Sequence, residues 1–223
     1  MKRAILRLGH YLSSQSRSIK LELFWSILSP RPASTVLNLG AAPPHLGREL
    51  LGVGAEDRLE QPEQDRRWSS LRVIGGNLNS RDIQEYHRLY KDQGFAALIL
   101  DGRRLPFADK SIDIIFSNAV IEHLTPEGQE LMAREIMRVG RSWFVTTPNY
   151  WYPIELHNKL PFFQFLPRGL QIPIQRKFRT WPVSEPIHLL SARSLSRLLP
   201  GSLIKKVRVT FYPETLIAYH CED

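Results

Sequence analysis

Cysteine is almost missing from this chain. The single one, Cys221, stands near the end of the sequence, which excludes a disulfide framework and a zinc site built on thiolates. Also missing is any apolar run of the roughly 18–20 residues that a membrane-crossing helix needs. The opening stretch, MKRAILRLGHYLSSQSRS, has a basic head, but arginine and histidine interrupt its apolar part, so it reads as a helix and not as a secretory leader. Low-complexity tracts and internal repeats are absent, which sets aside solenoids and disordered tails. The seven histidines show no metal-ligand spacing and no paired carboxylates beside them, so no metal is expected. A cytoplasmic location fits these absences, and the basic start leaves open a peripheral place at the inner membrane face.

What is present is an ordinary globular composition, 43% hydrophobic and 23% charged over 223 residues, enough for one substantial core. The net charge of +8 is unevenly spread. From Val36 to about Tyr150 the chain is close to balanced. The excess lies in the first 35 residues and after Trp151, in clusters such as Arg176-Lys177-Arg179 and Lys205-Lys206-Arg208. Such clusters read either as solvated surface or as attraction to an anionic partner.

Along the chain, short apolar runs alternate with helical patterns. Val36–Leu39 is a strand, followed by the small-residue turn Gly40-Ala41-Ala42-Pro43-Pro44 and a helical stripe of Leu46, Leu50 and Leu51. LRVIGG is a second strand, ending at Gly76-Asn77. Residues 79–91 are helix-like, with Ile83, Tyr86 and Tyr90 at spacings of three and four. Ala97–Leu100 and Ile112–Phe116 read as two further buried strands. TPEGQELMAREIMRVG is an amphipathic helix capped by Thr125 with Pro126 in its first turn. Ser142–Thr147 is a fifth strand. Toward the end, ARSLSRLL is helical, and LIKKVRVTFY and TLIAYH form a terminal strand pair.

Apolar strands without strict alternation, separated by helices, argue for a parallel α/β sheet covered on both faces. Ligands of such sheets sit outside the carboxyl ends of the strands. Asn38-Gly40, Asn77, Asp101 and Ser117-Asn118 all fall at or just past those ends. Each alone is an ordinary turn residue; in this order they converge on one crevice.

The stretch DGRRLPFADKSIDIIFSNAVIEHL, followed by REIMRVGRSWFVTTPN, resembles the class I S-adenosylmethionine-dependent methyltransferases, in the broad group called type 11. The continuation YWYPIELHNKLPFFQFLPR is similar to a bacterial subgroup with Pro-Ile-Glu-x-His and Leu-Pro-Phe after the fifth strand. The resemblance covers about residues 35–200. It implies a Rossmann-like three-layer α/β/α sandwich, mostly parallel and seven-stranded, with a C-terminal antiparallel hairpin. It divides the chain into an N-terminal helical cap (1–34) and a methyltransferase domain (35–223), with 150–183 as an aromatic and basic lid-like insertion. The implied cofactor is S-adenosyl-L-methionine. Its binding residues would be Asn38, Gly40, Ala42, Asn77, Asp101, Gly102, Leu105, Ser117 and Asn118. Asp101 could accept from the adenine amine; Leu105 and Phe107 offer contact to the purine or pack their loop onto the core. Gly40 would let the backbone approach the methionine portion, and Ser117 and Asn118 would lie near the methyl group or the amino-acid tail.

The chain departs from the usual pattern. Where the family has Asp-x-Gly-x-Gly-x-Gly, it has Asn38-Leu39-Gly40-Ala41-Ala42-Pro43-Pro44, and the carboxylate that grips the ribose becomes Asn77. An amide accepts and donates but carries no charge, so a weaker cofactor grip is expected.

Methyl transfer from a sulfonium is an in-line displacement governed by alignment, and a base is needed only for a poorly acidic acceptor. The candidates are His123, beside Glu122, and His157; either can equally be a satisfied structural group. Tyr150–Trp181 interleaves aromatics with basic residues, and its prolines argue against one long helix. It reads as a substrate lid, as a face for anionic headgroups, or as a cluster closing the sheet. The expected partner is a small-molecule, glycan or lipid-linked acceptor, with contact to an anionic membrane surface as an option. A non-catalytic methyltransferase-fold binding protein is the alternative. Nucleic acid ranks third, since only net charge suggests it and no Asn/Asp-Pro-Pro-Tyr/Phe motif follows the fourth strand.

Overall fold

The structure is a computed structural model that describes residues 2–42, 66–178 and 187–222, with side chains in the first helix described from Gln15 onward. The Leu46, Leu50 and Leu51 stripe, Pro43, Pro44, Arg179 and Trp181 lie outside the described residues.

Five strands form in the expected order: β1 (Thr35–Leu39), β2 (Arg72–Asn77), β3 (Ala96–Ile99), β4 (Ile112–Asn118) and β5 (Gly140–Pro148). The C-terminal pair, β8 (Leu203–Val207) and β9 (Thr215–His220), joins them. The seven-stranded sheet runs β3-β2-β1-β4-β5-β9-β8, parallel until β9 enters antiparallel to β5 and β8 to β9. The parallel part is the α/β sheet the sequence pattern implied, and the seven strands closed by an antiparallel pair are what the family resemblance implied. The strand order reverses between β1 and β4, which places the switch point at Leu39 and Ser117, register partners at the carboxyl ends.

The helices are α1 (Lys2–Leu28), α2 (Ser80–Tyr90), α3 (Pro126–Val139), α4 (Arg168–Phe178) and α5 (Ala192–Leu198). Asn79 caps α2 by accepting from Arg81 and Asp82 N–H, and Thr125 caps α3 by accepting from Gly128 N–H. Their apolar stripes face the sheet: Ile83, Tyr86 and Tyr90 from α2, and Met132, Ala133, Ile136 and Val139 from α3, are all buried. Phe24 of α1 packs within 6 Å of Trp68, Phe116 and Phe144, with ring centroids 5.3–5.7 Å away, so the first helix contributes to the core.

Two expectations need correction. β3 is not a buried strand: it lies at the sheet edge, with Leu98 40% and Ile99 61% exposed, because an edge strand is paired on one side only. The segment after β5 does avoid one long helix, forming the hairpin β6 (Ile154–Glu155) and β7 (Leu160–Pro161). Yet α4 continues through Pro173, which its sequence would have broken.

Candidate functional site

Four of the predicted residues, Gly40, Asn77, Asp101 and Gly102, line one cavity at the carboxyl ends of β1, β2 and β3, closed on its far side by Val120, Leu124 and Met132. Its enclosed volume is about 80 Å³, and the space between its walls widens to about 400 Å³ when the solvent-open mouth is counted. Gly40 has φ +84°, and a Cβ there would lie 2.2 Å from Val120 Cγ2. Glycine is therefore demanded twice, by the left-handed backbone and by the side chain packed over it. Gly102 differs, since a Cβ there would meet Met132 at an ordinary 3.6 Å.

Asn77 donates from Nδ2 to Ala41 O (3.0 Å) and accepts at Oδ1 from Asn79 N–H (3.1 Å). An amide has two N–H groups and two lone pairs, so among the described residues one donor and one acceptor remain for a ligand such as a diol. Asp101 is engaged differently. Its Oδ1 accepts from the N–H (2.9 Å) and Nε (2.9 Å) of Arg103, and its Oδ2 from Arg103 Nη2 at 2.7 Å. Arg103 hydrogen-bonding is the main reason its carboxyl is held below the ordinary range. A ligand amine must share this carboxylate with the guanidinium or displace it.

The loop after Asp101 is clamped from α3. Arg138 donates to the carbonyls of Leu105 (3.1 Å) and Phe107 (2.8 Å) and to Asp109 (2.8 Å), while Glu135 accepts from Leu105 N–H at 2.6 Å. Leu105 is buried among α3 residues and does not line the cavity; it packs the loop onto the core. Asn38 is buried within β1, opposite Gly75 and Phe116, also away from the cavity wall. Ala42 is partly buried at the last described position of its loop.

At the end of β4, Ser117 is wholly buried and its Oγ has no hydrogen-bond partner among the described residues. Asn118 Oδ1 accepts from Thr146 Oγ1 (2.7 Å) and from Lys20 Nζ (2.8 Å), which reaches in from α1. The ammonium's pKa falls from 10.5 to about 8, chiefly through burial and then through neighbouring Arg17, against Glu122 and Glu214. Ala119 takes a left-handed φ of +56°, a strained conformation for a residue with a Cβ. The chain then turns so that Val120 lies over Gly40 while Glu122 is fully buried.

His123 and His157 come together, with ring centroids 5.1 Å apart and planes at 89°. His123 is exposed on one side; the packing around the rest of the ring lowers its pKa, with His157 the second cause, against Glu155. His157 Nδ1 lies 2.8 Å from Glu155 Oε1, and Asn158 donates from N–H and Nδ2 to Glu155 Oε2 at 2.6 Å each. Burial raises Glu122 to about 7, opposed by His157, its backbone, Thr147 and Lys20.

Sequence reading missed Lys20, whose signal was a lone lysine inside an apolar helical run, and Val120, which carried none. It also missed the Glu135–Arg138 clamp, visible only as an i,i+3 pair.

Residues 51–142 match the family described as a methyltransferase domain. No curated protein matches the chain. Among solved structures, the PH0226 protein from Pyrococcus horikoshii superposes with TM-score 0.57 at 15% identity, over 94% of this chain and 91% of that one. A SAM-dependent methyltransferase from Methanosarcina mazei gives 0.56 at 14%, over 87% and 95%. The geranyl diphosphate C-methyltransferase of Streptomyces coelicolor, solved with Mg²⁺, geranyl diphosphate and S-adenosyl-L-homocysteine, gives 0.56 at 13%, over 91% and 80%. At these identities the likeness is one of fold.

Proposed function

We propose, taking as premise that this chain is a methyltransferase-domain protein of the class I fold, that it transfers a methyl group from S-adenosyl-L-methionine to a small-molecule, glycan or lipid-linked acceptor. The observation that carries this is the convergence of Gly40, Asn77, Asp101 and Gly102, from three strand ends, on one cavity at the switch point. The residues suit such a donor. Asn77 keeps one donor and one acceptor for a ribose, Asp101 offers a carboxylate to an adenine amine, and Ser117 holds an orphaned buried hydroxyl at the neighbouring strand end. When bound, the sulfonium supplies an electrophilic methyl group with a neutral leaving group.

The chain's own share is alignment. The α3 clamp fixes the Asp101 loop, and the strained turn at Ala119 fixes Val120 against Gly40. Trp151 and Phe162, 57% and 60% exposed, stand with Phe165 and Arg168 on the segment after β5. An exposed aromatic and basic surface of this kind supports an acceptor with apolar and anionic parts.

One observation favours the non-catalytic reading: Arg103 already occupies Asp101 from both oxygens. Incubation with methyl-labelled donor and a panel of phenolic, sugar and lipid acceptors separates the two. Label transferred into one acceptor class, and lost in Asp101→Ala, supports the enzyme. A donor that binds and is neither transferred nor hydrolysed supports the binding protein.

A further inference from the structure

We propose that Glu122, His123 and His157 form a binding site for one divalent transition-metal cation. One carboxylate oxygen of Glu122 and one ring nitrogen of each histidine all lie within 4.8 Å of one another. Side-chain shifts of about an ångström close such a set around an ion at the ~2.0–2.2 Å distances usual for imidazole and carboxylate ligands.

Two further observations point the same way. Glu122 is wholly buried; its Oε2 accepts from Thr147 Oγ1 at 3.1 Å, but its Oε1 has no hydrogen-bond partner among the described residues. A buried carboxylate oxygen left without a donor is costly unless a cation or donor meets it. His157, for its part, is already arranged as a ligand. Glu155 takes its Nδ1 at 2.8 Å and is itself fixed by Asn158, so a metal would be met through Nε2. A carboxylate holding the second nitrogen of an imidazole is the usual support behind a ligating histidine.

The charge around the site is mixed. Lys20 and Arg17 lie on the α1 side, with the Lys20 ammonium turned to Asn118 Oδ1, while Glu155 and Glu214 supply negative charge. His123 is exposed at the surface. The position is also telling: Val120 and Leu124, on either side of Glu122-His123, line the strand-end cavity, and Glu155, two residues before His157, lines a second cavity under α4. Two imidazoles and one carboxylate suit zinc, cobalt or manganese over magnesium or calcium, and three protein ligands leave a position for water or an acceptor oxygen. The linear sequence concealed the set because Glu122-His123 sit in the turn after β4 and His157 in the β6–β7 hairpin.

The test uses untagged full-length chain, stripped with a chelator and titrated with Co²⁺ and Zn²⁺. The expected result is one Co²⁺ per chain with visible absorption of an imidazole–carboxylate set, displaced by Zn²⁺ and not by an equal concentration of Mg²⁺. His123→Ala and His157→Ala should each weaken binding at least tenfold, and Glu155→Gln about 10–100-fold, while His87→Ala on α2 leaves it unchanged. His123 is exposed, so its variant keeps the test sound if a change at buried Glu122 disturbs folding. Absence of stoichiometric binding at micromolar metal, or wild-type affinity in both histidine variants, overturns the proposal. Titration of the same metal-free protein with S-adenosyl-L-homocysteine reports on the cofactor site separately.

Discussion

Replacing Gly40 by alanine probes the cavity wall and the backbone beneath it together. At φ +84° the residue is left-handed, which costs an alanine about 1–2 kcal/mol. The new Cβ lands 2.2 Å from Val120 Cγ2, and forcing an extra carbon into a packed contact costs about 1–3 kcal/mol. Gly40→Ala should therefore destabilise by about 2–5 kcal/mol. The second part depends on one neighbour. In a Val120→Ala background the clashing methyl is gone, and only the backbone cost remains. A double-mutant cycle read by urea unfolding should show favourable coupling of about 1–3 kcal/mol between the two substitutions. Equal costs for Gly40→Ala in both backgrounds would refute the close approach of Val120, and with it the account of how this wall is built.

Lys20→Met should be more stable than the wild type at pH 7, with the gap closing as pH rises. Between about 8 and 10.5 the folded ammonium holds fewer protons than the unfolded one, so wild-type stability climbs through that window. The full gain is about 3 kcal/mol at ~1.4 kcal/mol per pH unit; a gap independent of pH in urea titrations contradicts it. Arg138→Ala should lower the urea midpoint by freeing the Leu105–Asp109 loop. Because Arg138 hydrogen-bonding holds the Glu135 carboxyl below its usual 4.5, the wild type loses this contribution as pH falls below 4.5 through the depressed value; Arg138→Ala should lack that acid loss. For the segment after β5, co-sedimentation with anionic vesicles at low salt should drop in Trp151→Ala and Phe162→Ala; no sedimentation of the wild type removes the membrane-facing reading of that surface.

The sheet was legible because its strands are short apolar runs bounded by turn residues, and because α2 and α3 carry both a cap and a buried stripe. β3 misled for a simple reason: Leu98 and Ile99 look like core residues, and nothing in a single strand says whether a neighbour lies on both sides. The strand-end residues Gly40, Asn77 and Asp101 were found by their position after apolar runs. What stayed hidden was contact between distant segments. The approach of Val120 to Gly40, the reach of Lys20 to Asn118 and the meeting of His123 with His157 all depend on how loops close over the sheet, which no local pattern encodes. Arg103 was visible as a neighbour of Asp101, but its grip on that carboxylate is a matter of side-chain geometry.

The most direct test of the central claim is calorimetric titration of the purified chain with S-adenosyl-L-methionine and S-adenosyl-L-homocysteine, repeated on Asp101→Ala. Micromolar binding of both ligands by the wild type, lost in the variant, is the predicted result. No heat of binding at millimolar ligand, or equal affinity in Asp101→Ala, contradicts the assignment of the strand-end cavity as the cofactor site.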